Sequence, residues 1–151
     1  MKQFPLVLYP NPILKKKSKK VGRISPDMPE ILQRMEYTME ENEGVGLAAP
    51  QVGISEQMII PRIVRATGKK ATDEEGCLSL PGVFLKIRRK EEVEIEAQTL
   101  EGETVRIQAK GLGARIFQHE IDHLNGMLII NRASPLARWK IRKQLKKFIN
   151  G

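Results

Sequence analysis

The spacing of hydrophobic residues predicts an amphipathic helix in the first third of this 151-residue chain. Apolar residues recur there at intervals of three and four, at Met28, Leu32, Met35 and Met39. This spacing places them on one face of a helix, which we expect to pack against the core. The helix would begin at Ser25-Pro26 or at Asp27, where Glu30 gives a capping-box-like start, and it would end at Gly44.

Shorter apolar or alternating runs predict strands. Met58-Ile59-Ile60 is typical of a short buried strand, and residues 83–87 and 93–97 predict two more, the second with one wet face. Residues 104–109 alternate again after a turn at Glu101-Gly102-Glu103, so they should pair back as a hairpin partner.

Two further helices are expected in the last third of the chain. The first runs from about Gly111 to Leu124, with Gly126 just past its end. We expect it to be buried, because it has an apolar approach formed by Leu112, Ile116 and Phe117. A rough apolar stripe follows in the lysine-rich tail, at Trp139, Ile141, Leu145 and Phe148. This stripe predicts a C-terminal amphipathic helix that either docks on the body or reaches a partner.

These elements predict an α+β fold, with small antiparallel or mixed sheets packed around a central helix and with a C-terminal helix. The length and the 40% hydrophobic content suit one domain with a single core, spanning residues 1–151. We find no apolar run of membrane-spanning length and no signal-peptide pattern at the start. One cysteine cannot form an internal disulfide, so we expect a reducing cytoplasm.

The predicted central helix carries an H-E-x-x-H motif, which contains both histidines of the chain, His119 and His123. Residues four apart lie on one face of a helix, so the two imidazoles can bind one metal ion. Glu120 then lies close enough to handle the protons of a water molecule at the metal. A chance motif on an exposed helix is the plain alternative. The apolar approach argues against it, since buried histidines and glutamates need partners.

A catalytic zinc-type site takes three protein ligands, so a third ligand must come from elsewhere in the chain. No Asp or Glu follows Asp122, which excludes a thermolysin-like arrangement, and Ile129 stands where a metzincin has its last histidine. The third ligand is therefore expected upstream, where Cys77 offers a thiolate. A lone intracellular cysteine is more often a small buried hydrophobe. Gly76 and Pro81-Gly82, however, predict a tightly shaped loop whose N–H groups can face a ligand.

Three segments of the chain match known motifs, and they do so in the expected order. They are Gly44-Val45-Gly46-Leu47-Ala48-Ala49-Pro50-Gln51, Glu75-Gly76-Cys77-Leu78-Ser79 and Gln118-His119-Glu120-Ile121-Asp122-His123-Leu124. These segments resemble the motifs G-x-G-L-A-A-x-Q, E-G-C-L-S and Q-H-E-x-D-H-L of the peptide deformylase family. The resemblance implies removal of the N-formyl group from the initiator methionine of nascent polypeptides, with release of formate.

The resemblance also implies a role for each site residue. The metal would be held by Cys77, His119 and His123. Glu120 would act as general base and then as general acid, while Gln51 and the backbone N–H of Leu78 would stabilise the oxyanion. Substrate contacts would come from Val45, Gly46, Glu75, Arg115 and Ile116. The metal would be Fe²⁺, with Zn²⁺, Ni²⁺ or Co²⁺ as alternatives, because ligand softness alone does not choose among them.

The chain departs from the family pattern between Gln51 and Glu75, where it is shorter and lacks the usual Asn-Pro. Proline removes a ladder hydrogen bond, so we expect a trimmed sheet edge after Pro61 and a mobile basic loop at residues 61–70. A natural deletion and an unobserved loop would each explain the short stretch.

A second departure is Asp73, which stands where many family members have an apolar residue beside the methionine pocket. Arg115 faces the same region, and we expect its stem to line the pocket while its head stays wet. We therefore hypothesise an Asp73–Arg115 pair.

The formal net charge of +8 is concentrated in two basic segments, residues 15–20 and 132–147. A solvated surface explains such charge. The sharper alternative is attraction to ribosomal RNA through the basic C-terminal segment, without base stacking because aromatic residues are few. The rival class is an RNA-binding protein with a structural metal, which would need a fourth ligand. A metalloprotease is disfavoured by the missing downstream ligand.

Overall fold

The computed structural model describes residues 2–58 and 62–150, apart from the side chains of residues 62–64 and 150. Within these ranges the strands are β1 (Lys19–Lys20), β2 (Glu56–Gln57), β3 (Arg62–Glu75), β4 (Leu85–Gln98) and β5 (Thr104–Lys110). The α-helices are α1 (Met28–Glu41), α2 (Gly111–Leu124), α3 (Ile129–Arg132), α4 (Pro135–Lys140) and α5 (Arg142–Asn150). Two 3-10 helices span Pro12–Lys15 and Ala49–Val52. The predicted α+β class is confirmed.

The central strand of the larger sheet is β4, which pairs antiparallel with β3 on one side and with β5 on the other. The prediction of separate strands at residues 83–87 and 93–97 is wrong, because β4 continues through the charged residues between them. Those residues resemble a loop in hydropathy, but both neighbouring strands pair with this part of β4. The predicted hairpin with residues 104–109 is confirmed.

The edge strand β3 corrects a second expectation. Residues 61–70 were expected to be a mobile loop, but β3 begins at Arg62 and pairs with β4 as far as Glu75. In the strand register Arg65 lies opposite Glu94, whereas Lys70 lies opposite Lys90. Of the strand predicted at residues 58–60, Met58 lies in a bend and the other two residues fall outside the described part.

Helix α2 has the predicted bounds and packs on β4. Gln118 fixes the contact, since its side chain donates to the Lys90 carbonyl at 2.8 Å and accepts from the Lys90 N–H at 3.1 Å. The expected apolar approach is wrong at Leu112, which is 66% exposed. Gly126 follows the helix at φ 71°, and a Cβ there would lie 2.7 Å from the Lys15 carbonyl oxygen.

Helix α1 begins after Asp27 and ends three residues before Gly44. Met28 and Met35 are buried in a core cluster that includes Ala49 and Val52, whereas Leu32 packs against this cluster while only partly buried. The predicted apolar face is therefore confirmed for Met28, Leu32 and Met35, which pack with the 3-10 helix Ala49–Val52, whereas Met39 is outside this cluster.

The tail forms two helices, α4 and α5, and not the single helix that its apolar stripe predicted. Ile141, Leu145 and Phe148 pack against the core cluster beneath β4, so the docking alternative is confirmed. Trp139 does not take part in this contact, since it is 63% exposed. Among the helices of the described residues, none has the length and hydropathy to span a membrane.

Candidate active site

Three metal-binding atoms converge where α2 passes the loop between β3 and β4. His119 and His123 lie one turn apart, with their Nε2 atoms 3.2 Å from each other. Cys77 enters from the loop, and its Sγ lies 3.3 Å from His123 Nε2. The ligand atoms of all three residues lie within 4.8 Å of one another. The structure therefore brings together the N₂S set that the sequence indicated.

The electrostatics of these residues fit a cation. Burial, together with the charges of His119 and Arg89, lowers the pKa of His123 to about 3, so its ring is neutral and can act as a ligand. Burial also opposes a charge on His119, but Cys77 and Glu75 reverse this and raise its pKa to about 10. The site therefore stabilises a positive charge at the point where the three atoms meet, which is what a divalent metal ion would supply.

Glu75 holds His119 from behind. Its Oε2 lies 3.1 Å from His119 Nδ1, which leaves Nε2 of that ring facing the centre of the site. Arg89 and Arg115 donate to the same carboxylate, Arg115 at 2.7 Å. Burial alone would raise the pKa of Glu75, but hydrogen bonds from these three residues lower it to about 2. Glu75 is therefore ionised, and its oxygens are already occupied by protein donors.

Sequence reasoning missed Arg89, which joins two buried carboxylates. It donates to both oxygens of Glu75 and, through Nη1, to Asp122 Oδ2 at 2.6 Å. Arg132 then holds Asp122 with two hydrogen bonds, at 3.0 and 2.6 Å. Burial alone would lower the pKa of Arg89, but Glu75 and Asp122 outweigh this effect and raise the pKa above its usual value. The signal was the alternation of β4, since Arg89 falls two residues after the buried Ile87.

The hypothesis of an Asp73–Arg115 pair is wrong. Arg115 is only 8% exposed, so its head is not in water, and its hydrogen-bond partners are Glu75 and the carbonyls of Ile87 and Ala71. Asp73 instead accepts from the Glu74 N–H. A buried guanidinium needs a buried carboxylate, and Asp73 is exposed.

The carboxylate of Glu120 is buried, but in the described part of the chain one of its oxygens lacks a hydrogen bond. Its Oε2 is buried and has no hydrogen-bond partner among the described residues. The other oxygen lies against Gly46, where a Cβ would approach within 2.9 Å of Glu120 Cδ. Burial raises the pKa of Glu120 to about 7, helped by the charge of Glu75 and opposed by His119 and Arg89. A group with this pKa can accept and release a proton near neutral pH.

Gln51 presents its amide nitrogen to the site, where it donates to the sulfur of Cys77. Its Oε1 accepts from the Ala48 N–H at 2.8 Å, and its Nε2 points to Cys77 Sγ at 3.6 Å. The backbone N–H of Leu78 follows the cysteine directly. Two donors of different kinds therefore lie beside the sulfur.

A cavity of about 430 Å³ opens onto these groups. All the site residues named from the sequence line it except His123, which lies behind His119. Val45 lies at its mouth and is 71% exposed. Sequence reasoning did not identify Phe84, whose ring lies so close to Gly76 that a Cβ on that glycine would be 2.8 Å away. A cavity of this volume lies in the range of small-ligand sites.

Comparisons with known proteins agree with this site. The sequence profile of the polypeptide deformylase family matches residues 3–65 and 58–139. A peptide deformylase of Desulforudis audaxviator is 40% identical over 153 residues, covering 93% of this chain and 99% of that protein.

Solved structures give the same result. The crystal structure of peptide deformylase from Thermotoga maritima has a TM-score of 0.86 and 37% identity, and the match covers 89% of this chain and 100% of that one. A Plasmodium falciparum peptide deformylase in complex with an inhibitor has a TM-score of 0.92 and 36% identity, with 97% of this chain and 100% of that one covered. The chain therefore belongs to the polypeptide deformylase family of hydrolases, which remove the N-formyl group from nascent polypeptides.

Proposed function

We propose a specific role for each site residue in the reaction of this enzyme, which hydrolyses the formyl amide at the N-terminal methionine of a nascent polypeptide. Residues 1–151 would act as a single catalytic domain. Cys77, His119 and His123 would hold one divalent metal ion. When bound, such an ion polarises a carbonyl group and lowers the pKa of water.

Glu120 is the general base and then the general acid in this proposal. The observation that carries the assignment is its buried Oε2, which has no hydrogen-bond partner in the described part of the chain and belongs to the residue next to the ligand His119. A pKa of about 7 lets it take a proton from the attacking water and pass it to the departing amine. The amine needs that proton, because an amide nitrogen leaves poorly as an anion.

Gln51 and Leu78 would stabilise the negative charge that develops on the formyl oxygen. Gln51 offers Nε2 because its Oε1 is already held by Ala48, and Leu78 offers its backbone N–H. Removal of one such donor typically raises the barrier by about 3–4 kcal/mol.

The remaining cavity residues divide into two groups. Val45, Gly46 and Ile116 would contact the substrate, with Val45 at the mouth and Gly46 beside Glu120. Glu75 and Arg115 line the same cavity, but their polar atoms are already paired with each other and with protein groups. We assign these two residues to positioning His119, with their non-polar parts forming the wall.

Fe²⁺ is the metal that we propose for the active enzyme, with Zn²⁺, Ni²⁺ or Co²⁺ as alternatives. A site with two imidazoles and one thiolate suits iron and zinc alike, so the donor set supports both. Anaerobic loading with each ion in turn, followed by measurement of formate release, would identify it. Highest activity with Zn²⁺ would contradict the assignment of iron.

The enzyme would act in the cytoplasm, where nascent chains emerge, and the basic C-terminal segment would contact the ribosome. This segment supports the proposal with exposed cations along α4 and α5, namely Arg138, Lys140, Arg142, Lys143, Lys146 and Lys147. Their charge would favour ribosomal RNA.

The proposed roles can be tested by formate release from a formyl-Met peptide. The wild type should release formate, and Glu120→Ala should be inactive while it retains the metal. Glu74→Ala is a matched control, because Glu74 is an exposed acid at the rim of the same cavity. Equal activity of Glu120→Ala and the wild type would contradict the assigned role.

A further inference from the structure

A second concave site lies on the other side of α2. The cleft has a volume of about 230 Å³ and is bordered by β3, β4 and the second half of α2. Gln118, Asp122 and Asn125 line it, whereas His119 and Ile116 line the substrate cavity. Since each helical residue turns the direction by about 100°, these two sets lie on opposite faces of the helix. The cleft is therefore separate from the catalytic site.

The cleft is strongly basic. Five cations line it, namely Lys70, Arg88, Arg89, Lys90 and Arg132. Lys70 lies directly opposite Lys90 in the β3–β4 register, and like charges in that position destabilise a sheet. In the described part of the chain neither Lys70 nor Arg88 forms an ion pair. The side-chain ammonium of Lys90 donates to the Gly68 carbonyl and likewise has no ion pair among these residues. An external anion would compensate this charge.

On the other half of β4, the cations of the neighbouring strand β5 form ion pairs with acids of β4. There Glu92 pairs with Lys110 of β5 at 3.0 Å, and Glu94 lies 3.9 Å from Arg106. The acid that lines the cleft, Asp122, cannot play the same part, because it is already held by Arg89 and Arg132. The positive charge of the cleft is therefore available to a partner.

The spacing of the cations indicates a polymer. Arg88 and Lys90 occupy alternate positions on β4, which are about 6.8 Å apart along a strand, and Lys86 continues this row beyond the cleft. A row of regularly repeated charges suits a partner that carries a charge on each unit. Among the described residues that line the cleft, none is aromatic, so the bases of a nucleic acid would find no stacking surface.

We propose that this cleft binds the sugar–phosphate backbone of RNA without sequence preference. The inference rests on the proposed function in one respect, since an enzyme of nascent chains works beside ribosomal RNA. It adds a second contact to the one proposed for the C-terminal segment, at the β3–β4 surface on the face of α2 opposite the substrate cavity. Binding there leaves the mouth of the cavity open to the emerging peptide.

The test uses the full chain and a fluorescently labelled 20-nucleotide single-stranded RNA. The variant K70Q/R88Q/K90Q removes three charges of the cleft, and R65Q/R106Q/K110Q is the matched control, since it removes three exposed charges that lie opposite acids on the other half of the same sheet. We expect the cleft variant to lose at least tenfold in affinity. Three lost phosphate contacts should also reduce the slope of log K against log salt by about 2. Equal losses in both variants would overturn the proposal.

Two further measurements keep the proposal testable if the cleft variant folds poorly. In the wild type, RNA should protect Lys70 and Lys90 from acetylation more than Lys110, which pairs with Glu92 on the other half of the sheet, and the reverse order would overturn the proposal. Competition by polyglutamate as strong as that by RNA would assign the cleft to an acidic protein instead. Formate release should be unchanged in the cleft variant. RNA binding by a wild-type chain without formate release would contradict the proposed function alone.

Discussion

Arg89 binds the carboxylate of Glu75 with two parallel hydrogen bonds, from Nε at 2.9 Å and from Nη2 at 3.0 Å. Both side chains are buried, each only 5% exposed, so the pair is shielded from water. The same carboxylate contacts His119 Nδ1. Arg89 does not contact the three ligand atoms. It nevertheless helps to keep Glu75 ionised behind the ring of His119.

Replacement of Arg89 by methionine should destabilise the protein strongly. It would leave Glu75 and Asp122 buried with fewer donors, and loss of one partner from a buried ion pair typically costs about 3–5 kcal/mol. Urea unfolding of the metal-free protein would measure this. The control is Arg106→Met, because Arg106 is exposed and its pairs at 3.7–3.9 Å should contribute under about 1 kcal/mol. Similar losses of unfolding free energy in Arg89→Met and Arg106→Met would show that the buried ion pairs of Arg89 contribute no more than exposed ones.

The stability contributed by the Glu75 charge should depend on pH. Its pKa is lowered in the folded state from 4.5 to about 2, so the stabilisation is complete above pH 4.5 and is lost as the pH falls towards 2. By linkage the full contribution is about 3 kcal/mol. The difference in unfolding free energy between wild type and Glu75→Gln, both metal-free, should therefore shrink between pH 5 and pH 2. A difference independent of pH would show that the charge of Glu75 is not what stabilises the fold.

An added methyl group at Gly46 should displace the carboxylate of Glu120. A Cβ there would lie 2.9 Å from Cδ and 3.1 Å from Cγ of Glu120, which is too close for both to stay in place. A shift of about 1 Å can lower the rate about 100-fold, so we expect a fall of this size in kcat for Gly46→Ala with the metal content unchanged. Gly22→Ala is the control, since a Cβ at Gly22 meets nothing within 4 Å.

The donor of Gln51 can be removed without loss of its acceptor. In Gln51→Glu the oxygen that accepts from Ala48 is retained, while the Nε2 group facing Cys77 is replaced by oxygen. We expect kcat to fall by about 100- to 1000-fold, as for other oxyanion donors. Gln98→Glu, on the exposed end of β4, should have wild-type kinetics. A kcat for Gln51→Glu within threefold of the wild type would exclude this donor from the reaction.

Local patterns predicted the elements that carry the chemistry. The bounds of α2 followed from its apolar spacing and from Gly126, and the upstream cysteine followed from the absence of a downstream ligand. Pairing partners were not predictable in the same way. Residues 61–70 look like a loop because they contain proline, glycine and many cations, yet β4 provides a partner along almost all of β3. Arg89 was missed because charged residues are expected outside, although its parity with Leu85 and Ile87 placed it inside.

The continuity of β4 restricts how its length can change. A strand reverses its faces when one residue is inserted, so an insertion after Ile87 would turn Arg88 inward in place of Arg89 and shift every residue beyond it. The metal-binding ring of His119 would then lose the Glu75–Arg89 pair behind it, and the β4–β5 hairpin would lose the buried side chains Val93 and Ile95. Strand β3 already tolerates two shifts of register, one of them at Gly68, and it pairs on one side only. Changes in chain length are therefore confined to the edge of the sheet, and the middle can vary only by substitution.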